Sequence, residues 1–269
     1  MYNLSVGLFF KTDHHYLREW VEYYRIIGIE HFYIVCNDND PAPAYNILRP
    51  YIDRGIMTFN HIKGGPAITK QIEAHEWFLS KSNTKWLMVV DLDEFFFPVK
   101  EQCLHSMLED YEHYGGVTAN WMVYGSSGLY YPPELATESY TYRARESFQD
   151  NMFFKSITQT GKVLSAANPH SFLMKPGEFL VDELGRRIVD GSMANYNLPW
   201  TYKRLRVNHY RTRSWIDFQE KCKRWKGGEH PHFISLGCDG YFKQSDKNEV
   251  YDTVILRYVE RIRHALSKL

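Results

Sequence analysis

Asp91 and Asp93 are separated by one residue, directly follow the apolar run Trp86-Leu87-Met88-Val89-Val90 and stand just before Phe95-Phe96-Phe97-Pro98. Two carboxylates projecting from a strand end can put oxygen ligands on a hard divalent cation while leaving positions open for phosphate oxygens. An ion held there would stabilise charge on a departing diphosphate as a Lewis acid, without a proton transfer. Asp-x-Asp alone is weak, because acidic pairs are commonplace in solvated turns. Here the pair sits at the edge of a core, where unpaired charge is costly, and this favours a functional role.

The elements that must position this pair are read from periodicity. Leu4 to Phe10 is an apolar run of strand length. Asp13 can cap a helix whose apolar stripe is Leu17, Trp20, Val21, Tyr24 and Ile27, with Gly28 at its C′ position. Phe32 to Cys36 reads as a strand running into Asn37-Asp38-Asn39-Asp40, and a short helix over Tyr45 to Ile52 leads to a strand at Ile56 to Phe59. Gly64-Gly65-Pro66 breaks the chain before a helix carrying Ile68, Ile72, His75 and Leu79, and the Trp86 to Val90 strand follows.

Strands alternating with helices predict an α/β fold with a mostly parallel sheet flanked by helices. Ligands of such sheets bind beyond the carboxyl ends of the strands, so Lys11-Thr12-Asp13, Asn37-Asp38 and Asp91-Leu92-Asp93 should converge on one crevice. A helix with Leu104, Met107, Leu108 and Tyr111 and a strand at Val117 to Trp121 come next. Periodicity then weakens to about residue 213, and two helical patterns close the chain: Trp215, Phe218, Cys222 and Trp225, then Tyr251, Val254, Tyr258, Ile262 and Ala265. The reading is one domain over 1–269, with a ligand-binding half to about 121, an irregular half to about 213 and C-terminal helices.

The 32 basic residues balance 32 acidic ones, and no run of like charge stands out, which argues against a nucleic-acid partner. Aromatic residues make up 16% of the chain, which fits stacking on bases or sugars and equally fits an aromatic core. Cys36, Cys103, Cys222 and Cys238 have neither paired nor clustered spacing and read as reduced thiols. Met1 to Val6 enters a strand with no basic leader, and no apolar run is long enough to cross a bilayer. The expectation is a cytoplasmic protein, with peripheral contact to the inner face of the membrane left open.

Lys11-Thr12-Asp13, the Leu17 to Gly28 helix, Phe32 to Asn37, Tyr51-Ile52-Asp53-Arg54-Gly55 and Asp91-Leu92-Asp93-Glu94-Phe95 resemble glycosyltransferase family 2 and its relative, family 92. The resemblance continues in family order through Trp121, Gly125-Ser126-Ser127-Gly128, Lys155-Ser156-Ile157, Asn168-Pro169-His170 and Asn208-His209-Tyr210. It implies a GT-A fold, a nucleotide-sugar donor (a UDP-sugar favoured), a glycan or lipid-linked glycan acceptor, and inversion at the anomeric carbon.

Carried over position by position, Lys11, Asp13, Asn37 and Asp38 fall where the base and ribose are held, although Asn37 and Asp38 also read as turn caps. Asp91 falls near the ribose or the metal, and Asp93 on the metal, Mn²⁺ or Mg²⁺. His209 is a candidate third ligand, and its imidazole suits Mn²⁺ better than Mg²⁺. Lys155, His170 and Arg211-Thr212-Arg213 are candidate diphosphate partners, and Trp121, Gly125 and Ser126 candidate acceptor contacts. An inverting reaction needs a base: Glu94 is close along the chain, and of Glu134, Glu138, Glu146 and Asp150 in the irregular half Glu134 is the choice, because it closely follows the Gly125–Gly128 turn.

The sequence departs from the common pattern with Lys-Thr-Asp for Lys-Asn-Glu in the first loop and Asn-Asp-Asn-Asp in the second. One competing reading is a metal-dependent phosphohydrolase with Asp-x-Asp at a strand end. That motif normally ends the first strand and carries a Thr or Val where Phe95 stands. The other is a non-catalytic carbohydrate-binding protein, which the aromatic content would also suit.

Overall fold

The computed structural model describes residues 1–65, 67–225 and 231–269; Pro66 of the expected break and the Trp225 side chain lie outside what is described. The first half runs β1 (Tyr2–Phe10), α1 (Leu17–Ile26), β2 (His31–Cys36), α2 (Ala42–Asp53), β3 (Met57–His61), α3 (Ala67–Lys81), β4 (Thr84–Val89), β5 (Glu94–Pro98), α4 (His105–Leu108) and β6 (Gly116–Val123). The second half adds α5 (Ala136–Ser139), β7 (Tyr142–Arg143), β8 (Phe154–Gln159), β9 (Val163–Ala166), β10 (Phe172–Met174), β11 (Leu180–Asp182), β12 (Leu205–His209), α6 (Trp215–Trp225), α7 (Pro231–Ser245), β13 (Val250–Tyr251) and α8 (Val259–Leu266).

Among the described residues the main sheet has the order β3-β2-β1-β4-β8-β6-β12-β5, with β11 on the flank of β6. The β3-β2-β1-β4 block is parallel, whereas β8 is antiparallel to both β4 and β6. This is the mostly parallel α/β layer expected from the sequence. β1, β2 and β4 are buried on both faces, which is why they read as continuous apolar runs. As expected, Asp91 and Asp93 follow the fourth strand.

The α1 stripe does more than fill the core. Trp20 Nε1 donates to the Asp91 carbonyl at 3.2 Å, and Tyr23 OH to the Phe96 carbonyl at 3.1 Å. Tyr24 OH donates to the Glu94 carbonyl at 3.0 Å and accepts from Phe96 N at 2.9 Å. Three hydroxyl and indole groups of one helix thus fix the backbone on either side of the acidic pair, while their rings are buried. Much of the tyrosine content is therefore core. Gly28 ends α1 as expected: at φ 109° it lets Ile29 N reach back to the Tyr24 carbonyl at 2.9 Å.

The expectation that Asp13 caps this helix is wrong. Asp13 makes no side-chain capping bond, because its carboxylate is taken by two arginines from the far end of the chain. The Tyr251 to Ala265 pattern predicts one helix, but Val250–Tyr251 pairs with β7, a 3₁₀ helix covers Val254–Tyr258, and of this segment α8 alone is α-helical. α7 was not anticipated; it changes direction at Gly237, whose φ of 67° breaks any regular apolar period. No helix among the described residues is long and apolar enough to cross a membrane.

The reading of four reduced thiols is corrected as well. Cys222 of α6 and Cys238 of α7 form a disulfide across 16 positions, a pairing that spacing cannot show because α7 was not visible in the pattern. Cys36 and Cys103 are free. Cross-linking a loop of this length should restrict the unfolded chain by about 3 kcal/mol. Cys222→Ser with Cys238→Ser should therefore lose roughly that much in urea unfolding. A loss under about 0.5 kcal/mol would remove the staple from the stability account.

Near the C-terminus, buried Arg206 forks onto Asp252 (both contacts 3.0 Å), and Arg143 Nε reaches the same carboxylate at 2.7 Å. Burial would raise the Asp252 carboxyl, but the two guanidiniums outweigh it and hold it below the usual carboxylate range. Unfolding in acid then takes up a proton, so this contribution is present above about pH 4 and lost as pH falls further. Asp252→Asn is expected to cost about 2 kcal/mol at pH 7. Its stability should also fall less steeply than wild type between pH 5 and 3, and parallel acid limbs would refute the assignment.

Candidate active site at the end of the fourth strand

The acidic pair lies in the connection between β4 and β5, and its two members face different partners. Asp91 Oδ1 accepts from Gln71 Nε2 at 2.9 Å, and Oδ2 from Lys155 Nζ at 2.8 Å. Lys155 is fully buried; its ammonium also lies 3.2 Å from Glu94 Oε2 and donates to the Pro169 carbonyl at 2.9 Å. Glu94 is fully buried too, with Oε2 accepting from Asp91 N at 2.7 Å. Burial pushes its carboxyl up to about 8 despite Lys155.

Glu94 is therefore shut off from solvent and from any acceptor, and the expectation that it serves as base is corrected. Lys155 likewise braces the acidic loop from beneath instead of standing free for a diphosphate. Both Asp91 oxygens are thus engaged by neighbouring side chains, while a third of its side chain stays exposed.

Asp93 points the other way. Its Oδ2 lies 3.0 Å from Lys221 Nζ, and its Oδ1 lies 3.7 Å from His209 Nε2. Burial would raise its carboxyl, but Lys221 leads the charges that hold it well below the carboxylate range, so it is an anion. The pairing with His209 follows from register. β12 runs antiparallel to β5 with His209 opposite Glu94, and Tyr210 N donates to the Asp93 carbonyl at 2.8 Å. Burial pushes His209 below its ordinary value against the pull of Asp93, leaving a neutral imidazole, the form that binds metals.

The separation of 3.7 Å is too long for a hydrogen bond but short enough for two groups to share one cation. His209 Nδ1 is buried without a partner among the described residues. Asp93 and His209 thus fit two positions of a divalent ion whose other positions are open, as is usual where phosphates complete the shell. No group of three or more His, Cys, Asp or Glu able to hold a metal is found among the described residues.

His209, Lys221, Trp121, His170, Asp150 and Arg211 line a cavity of about 630 Å³. The Trp121 ring lies 4.1 Å from that of His209 and 5.1 Å from that of His170, centroid to centroid. His170 Nδ1 is 2.8 Å from the Phe154 carbonyl, which can only accept, so the proton sits on Nδ1. Burial, then Lys155, keeps the ring neutral, leaving Nε2 as an acceptor. Arg211 is held by Asp150 and by Tyr241 OH at 2.6 Å, and Asp150 is the one carboxylate among the described lining residues.

The first loop borders a second hollow of about 580 Å³, lined by Lys11, Asp13 and Arg224 among others. α6 stands between the two, with Lys221 facing one and Arg224 the other. Thr12 and Asp13 both adopt left-handed backbone at φ 61° and 60°, which costs a non-glycine residue about 1 kcal/mol each. Asp38 offsets this by accepting from Thr12 N at 2.7 Å and meeting His14 Nε2 at 2.6 Å. Asp13 is held by Arg213 at 3.2 Å and Arg224 at 3.0 Å. Asn37 Nδ2 donates to the Ile62 carbonyl at 2.6 Å. Asn37 and Asp38 thus brace loops, in line with their turn-cap reading.

Two acceptor expectations are corrected. A Cβ on Gly125 would fall 2.4 Å from Asn248 Oδ1 and 2.6 Å from the Lys247 carbonyl, so this turn is packed against the C-terminal segment. Ser126 is buried, with Asp246 accepting from both its N and its Oγ. Glu134 is exposed, pairs with Arg263 of α8 and does not line the cavity, so it is not placed to act as base. Of the expected acceptor residues only Trp121 is on the wall.

Sequence reasoning missed Lys221 and Arg224. They flank the Phe218–Cys222 stripe of α6 and read as its solvated face.

The sequence profile of glycosyltransferase family 92 matches residues 5–231. The chain belongs to this family. Among family 92 proteins, one from Arabidopsis thaliana is 24% identical over 234 residues, covering 78% of this chain and 35% of that protein. One from Ricinus communis is 22% identical over 228 residues, covering 83% and 38%. The chain thus spans little more than a third of the curated relatives it matches. Among solved structures, Staphylococcus aureus TarS 1–349 in complex with UDP aligns at TM-score 0.38 and 12% identity, over 59% of this chain and 47% of that one. TarS 1–349 in a second structure aligns at 0.36. Likeness of that degree transfers no residue role.

Proposed function

We propose that this family 92 chain moves a sugar from a nucleotide-diphosphate donor, a UDP-sugar favoured, to a hydroxyl of a glycan or lipid-linked glycan, with inversion. The observation that carries the reading is the convergence of Asp93 and His209 beside a cavity walled by Trp121 and by the cations Lys221 and Arg211. Mn²⁺ or Mg²⁺ on Asp93 and His209 would supply Lewis-acid stabilisation of the departing diphosphate.

Lys221 is placed to neutralise phosphate oxygens as a point charge, while Arg211, its fork held by Asp150 and Tyr241, adds positive charge to the wall. Trp121 offers a flat face to a sugar, and His170 Nε2 accepts a sugar hydroxyl. Lys155 holds the acidic loop in place, so that Asp93 meets the donor already oriented. An inverting displacement needs a carboxylate to take the acceptor proton, and Asp150 is the one on the cavity wall among the described residues.

Thermal unfolding with UDP, GDP, CMP and dTDP, each with and without Mn²⁺, tests the donor side. A native-state ligand at one hundred times its Kd adds about 2.7 kcal/mol, enough to shift the midpoint by several degrees. The expected result is a shift with UDP that needs Mn²⁺ and that His209→Ala removes. No shift with any nucleotide would end the reading.

A further inference from the structure

We propose that a groove beside the cavity binds a neutral oligosaccharide and extends the acceptor side of the site. Its role as an acceptor subsite rests on the transferase reading, while the binding itself does not. The groove encloses about 600 Å³ between Glu146 and the segment that runs from Asn195 to Tyr202.

Two features join it to the cavity. Tyr202, on its wall, donates its hydroxyl to the Trp121 carbonyl at 2.9 Å, and the Trp121 side chain is on the cavity wall. Met193 lines the cavity and Asn195 the groove, two residues further along one extended stretch bonded to Met152 and Phe154. A chain bound in the groove would therefore lead toward Trp121.

The chemistry of the wall selects the ligand. Sugars are recognised by flat aromatic faces combined with amide and carboxylate groups that bond hydroxyls. The groove offers Tyr196, 61% exposed, with Trp200 and Tyr202, and beside them Asn195, Asn197 and Glu146. Trp200 is already oriented, its Nε1 donating to the Glu146 carbonyl at 2.7 Å. Asn195 is buried and donates to Asn120 Oδ1 at 2.8 Å, yet its own Oδ1 has no partner among the described residues. None of the described lining residues is Lys or Arg, in contrast to the cavity with Arg211 and Lys221. Phosphate, sulfate or uronate groups would find no counter-charge here, and a neutral glycan would need none.

The test is retention on an array of immobilised neutral oligosaccharides, with sulfated and uronate oligosaccharides as the contrasting set. Wild type, Tyr196→Ala and Tyr196→Trp are compared, and each is checked in parallel for the thermal shift with UDP and Mn²⁺. Tyr196 is exposed, so neither variant should disturb folding. Wild type should retain at least one neutral glycan, Tyr196→Ala should weaken it roughly tenfold, and Tyr196→Trp should keep it. Retention of no glycan, retention of anionic glycans alone, or equal retention by Tyr196→Ala would overturn the proposal. A UDP shift without glycan retention sinks the groove and spares the donor reading; glycan retention without a UDP shift does the reverse.

Discussion

Asp93→Asn is expected to lower Mn²⁺-dependent release of nucleotide from a UDP-sugar by about three orders of magnitude, while the melting temperature moves by no more than a few degrees. The kinetic loss follows from position. Asp93 is the anionic member of the acidic pair that faces the cavity residues His209 and Lys221, and an amide cannot supply a carboxylate oxygen to a hard cation. The small structural cost follows from isostery and from Lys221, which is partly exposed and can turn its ammonium to water when the carboxylate is gone. Asp91→Asn should cost less, because its oxygens serve Gln71 and Lys155. Measuring nucleotide release for both variants over a range of Mn²⁺ separates the roles. A rate for Asp93→Asn within threefold of wild type would remove Asp93 from the reaction.

Lys155→Met should produce the largest loss of stability, about 3–5 kcal/mol and roughly 10 °C in melting temperature. The ammonium is fully buried and sits against both Asp91 and Glu94. Removing it leaves the Glu94 carboxyl buried beside Asp91 and Asp93 with no cation against it, and Glu94 Oε1 already lacks a partner among the described residues. Asp91 can recover solvation at its exposed edge, but Glu94 cannot. Adding Glu94→Gln to Lys155→Met should restore part of the loss, since an amide is neutral without the proton that a buried Glu94 carboxyl must take up once Lys155 is gone. If the single variant melts within about 2 °C of wild type, or the double variant falls further by the full cost of each change, this account of the loop's support fails.

The two expected results separate what could be read from residues alone. Asp91 and Asp93 were legible as a strand-end pair because a buried parallel strand must be apolar throughout, and the first carboxylate after such a run marks its carboxyl end. The same logic found β1, β2 and β4, and placed Gly28 at the close of α1. Short-range pattern carries that information, because the burial of a strand or helix face shows in the period of its own residues.

What each carboxylate does was not legible. Lys221 meets Asp93 across 128 positions and Asp246 meets Ser126 across 120; neither pairing leaves a mark on local periodicity. A Lys on the polar face of α6 looks the same whether it faces water or an aspartate. Glu94 and Glu134 show the converse. Both were reasonable bases by spacing, but one is sealed beneath the site and the other lies outside the cavity beside α8. The Cys222–Cys238 pair depended on a helix with no regular stripe.

By itself the sequence determined the layered fold, the strand end that bears the acidic pair and, through ordered motifs, the family. The tertiary structure alone decided that Asp93 meets His209 and Lys221 of the cavity wall and that Asp91 is held by Gln71 and Lys155. It also decided that the Gly125-Ser126 turn is packed away from any acceptor. Strand register and helix docking set those directions, and they are properties of the whole packed chain, in which charges more than a hundred residues apart must find partners or be excluded from the core.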